Sequence, residues 1–413
     1  MRNKNIRKNV IVSSFGDLFF DRTVKALNKI VDVTFIQGAV PTKRLADFWI
    51  KFSDKTNLLI FRQITQRAKS SKYAQLKCCS LCEYAYLLSR MPFPHSDFLR
   101  AFFHRLYGFC SQRYITNASV FHVRSGSGQG GAIKKAHKKG MIVVVDHSIP
   151  SVKYMDEILT PEYERYGGKF HLNKNSHFRK ILETDCNNAD YILVNSDFVK
   201  KTFVKDGYSP ENIKVVYLGV REDFIGLKKN YDIPLGEPIK MLFVGGFNFR
   251  KGAEYVLKAI DILYERNIPF RLQILGNISE FKDEIQKHHP EKIDILGSVM
   301  YDQLKDYYAA ADMFLFPSLS EGSTRAGMEA MGIGLPVLVT ENCGIPAIND
   351  VNAIVVPIKD AEAIADGVVR LYQSKELRER IGKEASELIK NSYNSNSYQE
   401  NLLAFYKEII PEL

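Results

Sequence analysis

The stretch "MFLFPSLSEGSTRAGMEAMGIGLPVLVT", residues 313–340, decides the fold. It reads as an apolar strand, a loop of Ser, Glu and Gly, an apolar helix, and a second apolar strand. Two strands without polar alternation, joined through a helix, belong side by side in a parallel sheet covered on both faces. The helix raises a question of its own. Ala326, Gly327, Met328, Ala330, Met331 and Ile333 surround Glu329. A helix that is apolar all round is buried, and a buried carboxylate needs a partner. Arg325, four residues earlier, offers an ion pair; a ligand that completes the site is the other reading.

The same unit repeats outward from this stretch. "IKMLFVGG" (239–246) leads into the helical "AEYVLKAIDILYER" (253–266), "RLQILGN" (271–277) into a polar helix, and "KIDILGS" (292–298) into "DQLKDYYAAA" (302–311). In a sheet of this kind ligands bind beyond the carboxyl ends of the strands. The loops "GGFNFRKG", "PSLSEGS" and "ENCGIP" therefore share one edge. The first half follows the scheme with strands at "NVIVSSFGD" (9–17), "VDVTFIQG" (31–38), "ASVFHVRSG" (118–126), "MIVVVDHS" (141–148), "DYILVNS" (190–196) and "IKVVYLGV" (213–220). The expected architecture is α/β, with two Rossmann-like domains whose parallel sheets face a central cleft. Residues 1–220 form the first domain, carrying a helical basic and aromatic insertion at 42–115. Residues 221–395 form the second, and 396–413 a helix that packs back on the first.

Charge divides the chain in the same place. Residues 221–413 hold 22 Lys and Arg and 29 Asp and Glu, a balance of −7, so a total of +10 leaves +17 on residues 1–220. A half this basic suits a polyanionic partner such as nucleic acid or anionic lipid. Three of six cysteines crowd into "KCCSLCE" (77–83), without the second pair a four-ligand zinc site needs. They read as reduced thiols of a cytoplasmic protein. The apolar part of the first 21 residues is short and broken by Asp17, which fits a strand rather than a signal peptide.

Chemistry gathers at the predicted sheet edges. Ser323 or Thr324 caps the helix that carries Glu329, where free N–H groups and the dipole favour an anion. Gly327 within that helix costs roughly 1 kcal/mol relative to Ala and points to a close approach to the backbone. A phosphate at the helix start, with Glu329 deeper in, suits a nucleotide whose ribose hydroxyls the carboxylate accepts. Glu321 then faces another part of the ligand. Arg250 and Lys251, among Gly245, Gly246 and Gly252, could neutralise a diphosphate; an exposed turn is the plainer reading. His147 ends a buried strand beside Asp146, at the edge facing the cleft. "GSGQGG" (126–131) fits neither G-x-G-x-x-G nor a Walker loop and reads as a flexible turn; Gly16 after the first strand is a second cleft position.

These residues together resemble a family. "FPSLSEGSTRAGMEAMGIGLPVLVT" is similar to the E-x7-E signature of the retaining glycosyltransferases of family 4, which have the GT-B fold. The resemblance extends through "FVGGFNFRKG", "LGSVMYDQLKDYYAAADMFLFPS" and "DAEAIADGVVRLYQSKELRERIGKEA", and more weakly through "IVVVDHS", "NADYILVNSDFVKKTFVKDG" and "IKVVYLGVREDF". It implies that Glu329 holds the ribose of a nucleotide-sugar donor, that Glu321 and His147 flank the transferred sugar as catalytic residues, and that Lys251 and Ser323–Arg325 meet the diphosphate. Gly246 stands where the family has an arginine, so that either Arg250 compensates or the diphosphate contact is weaker, and "EGST" replaces the common "EGFG"; both departures leave the donor preference open. The resemblance further implies transfer with retention of anomeric configuration. No Asp-x-Asp or His cluster suggests a metal, so no metal or other cofactor is expected; cations and the helix dipole stand in for one.

The acceptor is expected to be a glycan or a lipid-linked molecule at the basic first domain, in cell-envelope polysaccharide synthesis. Segment 48–77 mixes Trp49, Phe52 and Phe61 with Lys51, Arg62, Arg67 and Lys72, which suits an anionic bilayer surface at the inner face of the plasma membrane; a folded insertion is the alternative. Competing readings are a nucleotide-sugar epimerase or hydrolase on the same fold and a basic nucleic-acid binder. No nucleic-acid recognition motif is present and none is expected to bind. An NAD enzyme lacks its glycine turn.

Overall fold

A computed structural model describes residues 8–16, 20–41, 44, 47, 48, 51, 74–89 and 96–410. Two parallel sheets organise it. The first runs β3 (Gln75–Cys78), β2 (Asp32–Gln37), β1 (Asn9–Ser14), β4 (Val120–Arg124), β5 (Ile142–Asp146), β6 (Tyr191–Val194), β7 (Ile213–Val215). The second runs β10 (Ile293–Gly297), β9 (Phe270–Leu275), β8 (Ile239–Val244), β11 (Met313–Phe316), β12 (Val337–Thr340), β13 (Ile354–Val356). In both, the chain starts in the middle, builds to one edge, then returns to build to the other. The reversal at β1/β4 and at β8/β11 leaves a crevice at the carboxyl edge of each sheet.

The strand sequences account for this placement. All four residues of β11 and of β12 are buried, and in β8 only Lys240 is exposed. Such strands can lie only between two helical layers. One apolar cluster fills the second domain and continues into the first-domain helices Val152–Arg165 and His177–Asn187. Tyr163 and Tyr166 lie 5.2 and 4.7 Å from the Phe249 ring, so the domains share an aromatic contact.

The helix Ser395–Ile409 lies against the first sheet. Its Tyr406 hydroxyl is 2.7 Å from Nδ1 of the buried His122, and its Tyr398 hydroxyl is 2.9 Å from that of Thr23. The stretch 42–115 departs from the helical insertion expected of it. Its described part includes β3, which pairs in parallel with β2 from Thr34↔Gln75 to Gln37↔Cys78, followed by the helices Ser80–Ser89 and Asp97–Ser111. "QLKC" is too short for periodicity to separate strand from helix. Trp49, Phe52, Phe61, Arg62, Arg67 and Lys72 lie outside the described residues.

Candidate functional site

The loops after β8, β11 and β12 meet at one edge. After β8, the Asn248 side chain accepts from the Lys251 amide at 3.1 Å and caps the short turn Phe249–Lys251. Gly252 closes that turn at φ 76°, where a Cβ would land on the Pro317 carbonyl, so glycine is required twice over. The Ser318 hydroxyl and the Leu319 amide both donate to the Arg250 carbonyl, at 2.9 Å each. The Asn342 side-chain amide donates to the Leu319 carbonyl at 2.7 Å. Two turns and a side-chain bridge thus fix the three loops to one another.

This framework delivers three charges to one point. Arg250 Nη1 lies 2.6 Å and Lys251 Nζ 3.3 Å from Glu321 Oε1. Lys251 also sits 4.5 Å from the Phe316 ring centroid. Burial would raise the Glu321 carboxyl, but Arg250 and then Lys251 outweigh it and hold it below its ordinary value. Lys251 moves the opposite way for an ion-paired lysine. Burial pulls its ammonium down, Arg250 adds repulsion, and the shared Glu321 does not make up the difference. One carboxylate between two cations leaves a net positive charge in a largely dry site, and such a site favours an added anion.

Glu329 is 4% exposed in the helix Arg325–Ile333. The hydroxyl of Tyr301 donates to it at 2.6 Å and that of Tyr308 at 3.4 Å. Burial raises its carboxyl above the ordinary value, opposed by Tyr301, the Arg325 charge and Tyr308. The partners are therefore tyrosines, with Arg325 acting through space. The carboxylate borders a small pocket lined by Tyr301, Ser323, Arg325 and Met328, by Arg22 of the first domain and by Gly219–Arg221 at the junction of the two.

At the helix start the N-cap is Thr324 rather than Ser323. Its hydroxyl makes no capping bond, and its own amide donates to the Cys343 carbonyl at 3.0 Å. The first-turn amides thus lack the usual side-chain acceptor. Gly327 has a packing explanation instead of the close ligand approach expected: a Cβ there would come within 2.7 Å of the Thr324 methyl and 3.2 Å of Ile345. Gly246 lies at the mouth of the β8 loop, where a Cβ would meet the Asn248 side-chain amide at 3.3 Å and the Asn277 carbonyl at 3.9 Å.

The first-domain residues are placed differently. His147 is 1% exposed. Its Nδ1 is 3.6 Å from Cys186 Sγ, and its ring packs edge-on to Phe203 at 5.1 Å. It borders a cavity of about 230 Å³ lined wholly by first-domain residues, Ser151, Leu182 and Tyr208 among them. Burial, reinforced by Arg124, pushes its ring down to about 3. The side chain expected to face the cleft thus turns into its own domain, because apolar neighbours on two helices accept a neutral imidazole there. Asp146 pairs with Arg124 at 2.5 Å, and Arg124 reaches on to the Ser148 hydroxyl at 2.5 Å. Gly16 is exposed at φ 82°, 4.0 Å from Glu83 Oε1 when a Cβ is built on it.

The turn "GSGQGG" is held rather than loose. Buried Asp185 accepts from the Gly126 and Gly128 amides at 2.7 and 2.9 Å and from the Gln129 side chain at 2.5 Å. Burial nonetheless lifts its carboxyl to about 6. The glycines cradle an internal carboxylate, so the anion they were shaped for is already part of the chain.

The domains touch at the Glu321 loop. The Ser196 hydroxyl donates to the Gly322 carbonyl, and Asn342 Nδ2 donates to the Tyr154 hydroxyl at 2.9 Å. A Cβ on Gly322 would land on the Ser148 carbonyl. Sequence reading missed Tyr301, Tyr308, Asn248, Asn342 and Ser196. Of these Asn248 and Ser196 carried a local signal, each as a cap whose side chain accepts from the amide three residues on, Lys251 and Val199. Among the described residues, no group of three or more His, Cys, Asp and Glu is placed to hold a metal ion. No described helix is long and apolar enough to cross a membrane.

Two family descriptions match the two halves of this architecture: Glycosyltransferase Family 4 over residues 72–224 and Glycosyl transferases group 1 over residues 228–388. The two matches fall on the two sheets of the GT-B fold, and the chain is similar over both to glycosyltransferases of the family 4 type. It is 27% identical over 273 residues to an uncharacterized glycosyltransferase, MJ1607, of Methanocaldococcus jannaschii, covering 62% of this chain and 69% of that one. It is 31% identical over 181 residues to the amylovoran biosynthesis glycosyltransferase AmsK of Erwinia amylovora, covering 41% of this chain and 44% of that one. The HepE structure from Anabaena in complex with UDP superposes with a TM-score of 0.61 at 12% identity, over 97% of this chain and all of that one.

Proposed function

We infer that the chain transfers a sugar from a nucleotide-diphosphate donor to a glycan or lipid-linked acceptor, with retention of anomeric configuration and without a metal ion. The observation that carries this reading is the under-compensated charge at Arg250, Lys251 and Glu321. It sits beside a helix start whose first amides have no side-chain acceptor. When the anomeric bond to a diphosphate breaks, negative charge grows on the leaving group. Preorganised cations and N–H groups at that position stabilise it, each typically contributing on the order of 100-fold in rate. Glu329, steadied by Tyr301, accepts from the ribose hydroxyls; Glu321 orients Lys251 and lies next to the donor sugar. The polysaccharide role of AmsK and the UDP held by HepE favour a uridine donor and an envelope polysaccharide product.

A thermal-shift panel of UDP, GDP, ADP and their sugars tests the donor class, since a ligand stabilises by mass action. One nucleotide should raise the melting temperature, and Glu329→Ala should abolish that rise while leaving the unliganded protein folded. An unchanged rise in the variant sinks the ribose assignment. Proton NMR of the product, read at the anomeric signal, tests retention.

A further inference from the structure

Residues 42–115 carry 13 Lys and Arg against 4 Asp and Glu, a balance of +9 that nearly equals the +10 of the whole chain. The described part of this stretch also exposes apolar surface. On the helix Asp97–Ser111, Phe98, Phe102 and Phe109 are 61%, 48% and 65% exposed. Spacings of four and seven place all three on one face, with exposed Arg105 in the same stripe. The helix Ser80–Ser89 runs antiparallel beside it: Cys82 meets Cys110 at 3.4 Å and Tyr86 meets Phe103 at 5.5 Å. Its outward Leu81 and Leu88 are 84% and 62% exposed. Both helices bury their opposite faces in one core, through Cys82 on the first and Phe103 and Tyr107 on the second. Five large apolar side chains therefore project from one side of the first domain.

A contiguous apolar face of this kind marks an interaction surface, and its charge selects the occupant. The two described acids of the helix pair are withdrawn from it. Glu83 is 3% exposed and accepts from the Ala39 amide, while Asp97 accepts from Ser176 and the His177 amide. What remains is aromatic and aliphatic side chains with Arg105 among them, in a stretch whose described residues carry six Lys and Arg against three Asp and Glu. A second copy of the chain would bring the same excess of positive charge against it. We propose that this helix pair docks on an anionic lipid surface, with Phe98, Phe102, Phe109, Leu81 and Leu88 entering the interfacial layer and Arg105 meeting headgroup phosphates. The inference is independent of the donor reading.

Cosedimentation of the full chain with vesicles of phosphatidylcholine alone, and with phosphatidylglycerol mixed in, tests it. The chain should partition onto the anionic vesicles at low salt and leave them at about 0.5 M salt, where screening is strong. Arg105→Gln should weaken partitioning about five-fold. The triple variant Phe98→Ser, Phe102→Ser, Phe109→Ser should weaken it at least about ten-fold, and an unchanged melting temperature and nucleotide response will show that it is folded. No partitioning onto anionic vesicles at low salt overturns the proposal, as does a folded triple variant that partitions like wild type. Sedimentation equilibrium supplies the other arm: a dimer broken by the triple variant, without vesicle binding, would assign the face to a second copy.

Discussion

Replacing Glu321 by Gln removes the one negative charge between Arg250 and Lys251 and keeps the side chain's shape. At 2.6 and 3.3 Å, and with the effective dielectric of about 20 that suits such sites, each cation attracts the carboxylate by roughly 5 kcal/mol before desolvation is set against it. Removing one member of a buried ion pair typically costs about 3–5 kcal/mol, because the partner is left unpaired. Glu321→Gln should therefore lose about 3 kcal/mol of stability in the absence of anions. The same relief of competition should raise affinity for inorganic pyrophosphate or a nucleoside diphosphate about ten- to a hundred-fold, at 1.4 kcal/mol per factor of ten. Transfer should nonetheless slow, since Lys251 loses its orienting partner.

The pH dependence has a definite sign. Glu321 has its folded value depressed below 4.5, so its contribution is present above that value and lost as pH falls through the lower folded one. The stability gap between wild type and variant should be full at neutral pH and close in acid. Urea denaturation with and without pyrophosphate, together with calorimetry, reads every part of this. A variant that loses stability but binds pyrophosphate no tighter refutes the idea that these cations face an anion. A variant as stable as wild type refutes the charge compensation itself.

Lys251 gives a complementary test. Because burial holds its ammonium below the ordinary lysine value, an arriving diphosphate should raise it and draw in a proton at alkaline pH. Calorimetry of nucleotide binding in buffers of different ionisation enthalpy should show that uptake, and Lys251→Met should lack it. His147, buried and neutral with its value pushed down to about 3, should weaken the fold as pH falls from about 6.5 towards 3, because only the unfolded chain then takes the proton. The limit is about 1.4 kcal/mol for each tenfold rise in proton activity, and acid denaturation of His147→Phe should be correspondingly shallower. Gly322→Val should wedge the domains apart at the Ser148 carbonyl. Small-angle scattering should then show a larger radius of gyration, with the nucleotide-induced melting shift retained.

The parts of the fold and site that the sequence made legible are those set by local pattern. Strands β8, β11 and β12 are apolar because both faces are covered. The loops that follow them carry Gly252, Lys251, Glu321 and Thr324 at spacings that only a strand–turn–helix unit brings to one edge. That is why Arg250, Lys251 and Glu321 could be grouped before any coordinates, although they are 70 residues apart. What stayed hidden depends on packing between distant segments. Nothing near Glu329 announces Tyr301 or Tyr308, since their pairing is made by two helices meeting across a sheet edge. His147 shows the same limit from the other side. Its position at the end of β5 was readable, but whether its ring turns to the cleft or inward depends on Cys186 and Phe203, supplied by helices 39 and 56 residues further on. "GSGQGG" reads locally as a flexible turn and is instead held, for a related reason: its partner, the Asp185 carboxylate, comes from a distant helix. Glycines with inward amides signal an anion, and local sequence cannot say whether that anion is a ligand or, as here, the buried carboxylate of Asp185. A glycine-rich turn in such a fold therefore becomes evidence for a ligand only after the chain's own carboxylates have been accounted for. In this chain that test removes "GSGQGG" and leaves the Lys251 turn standing, because Glu321 alone does not neutralise it.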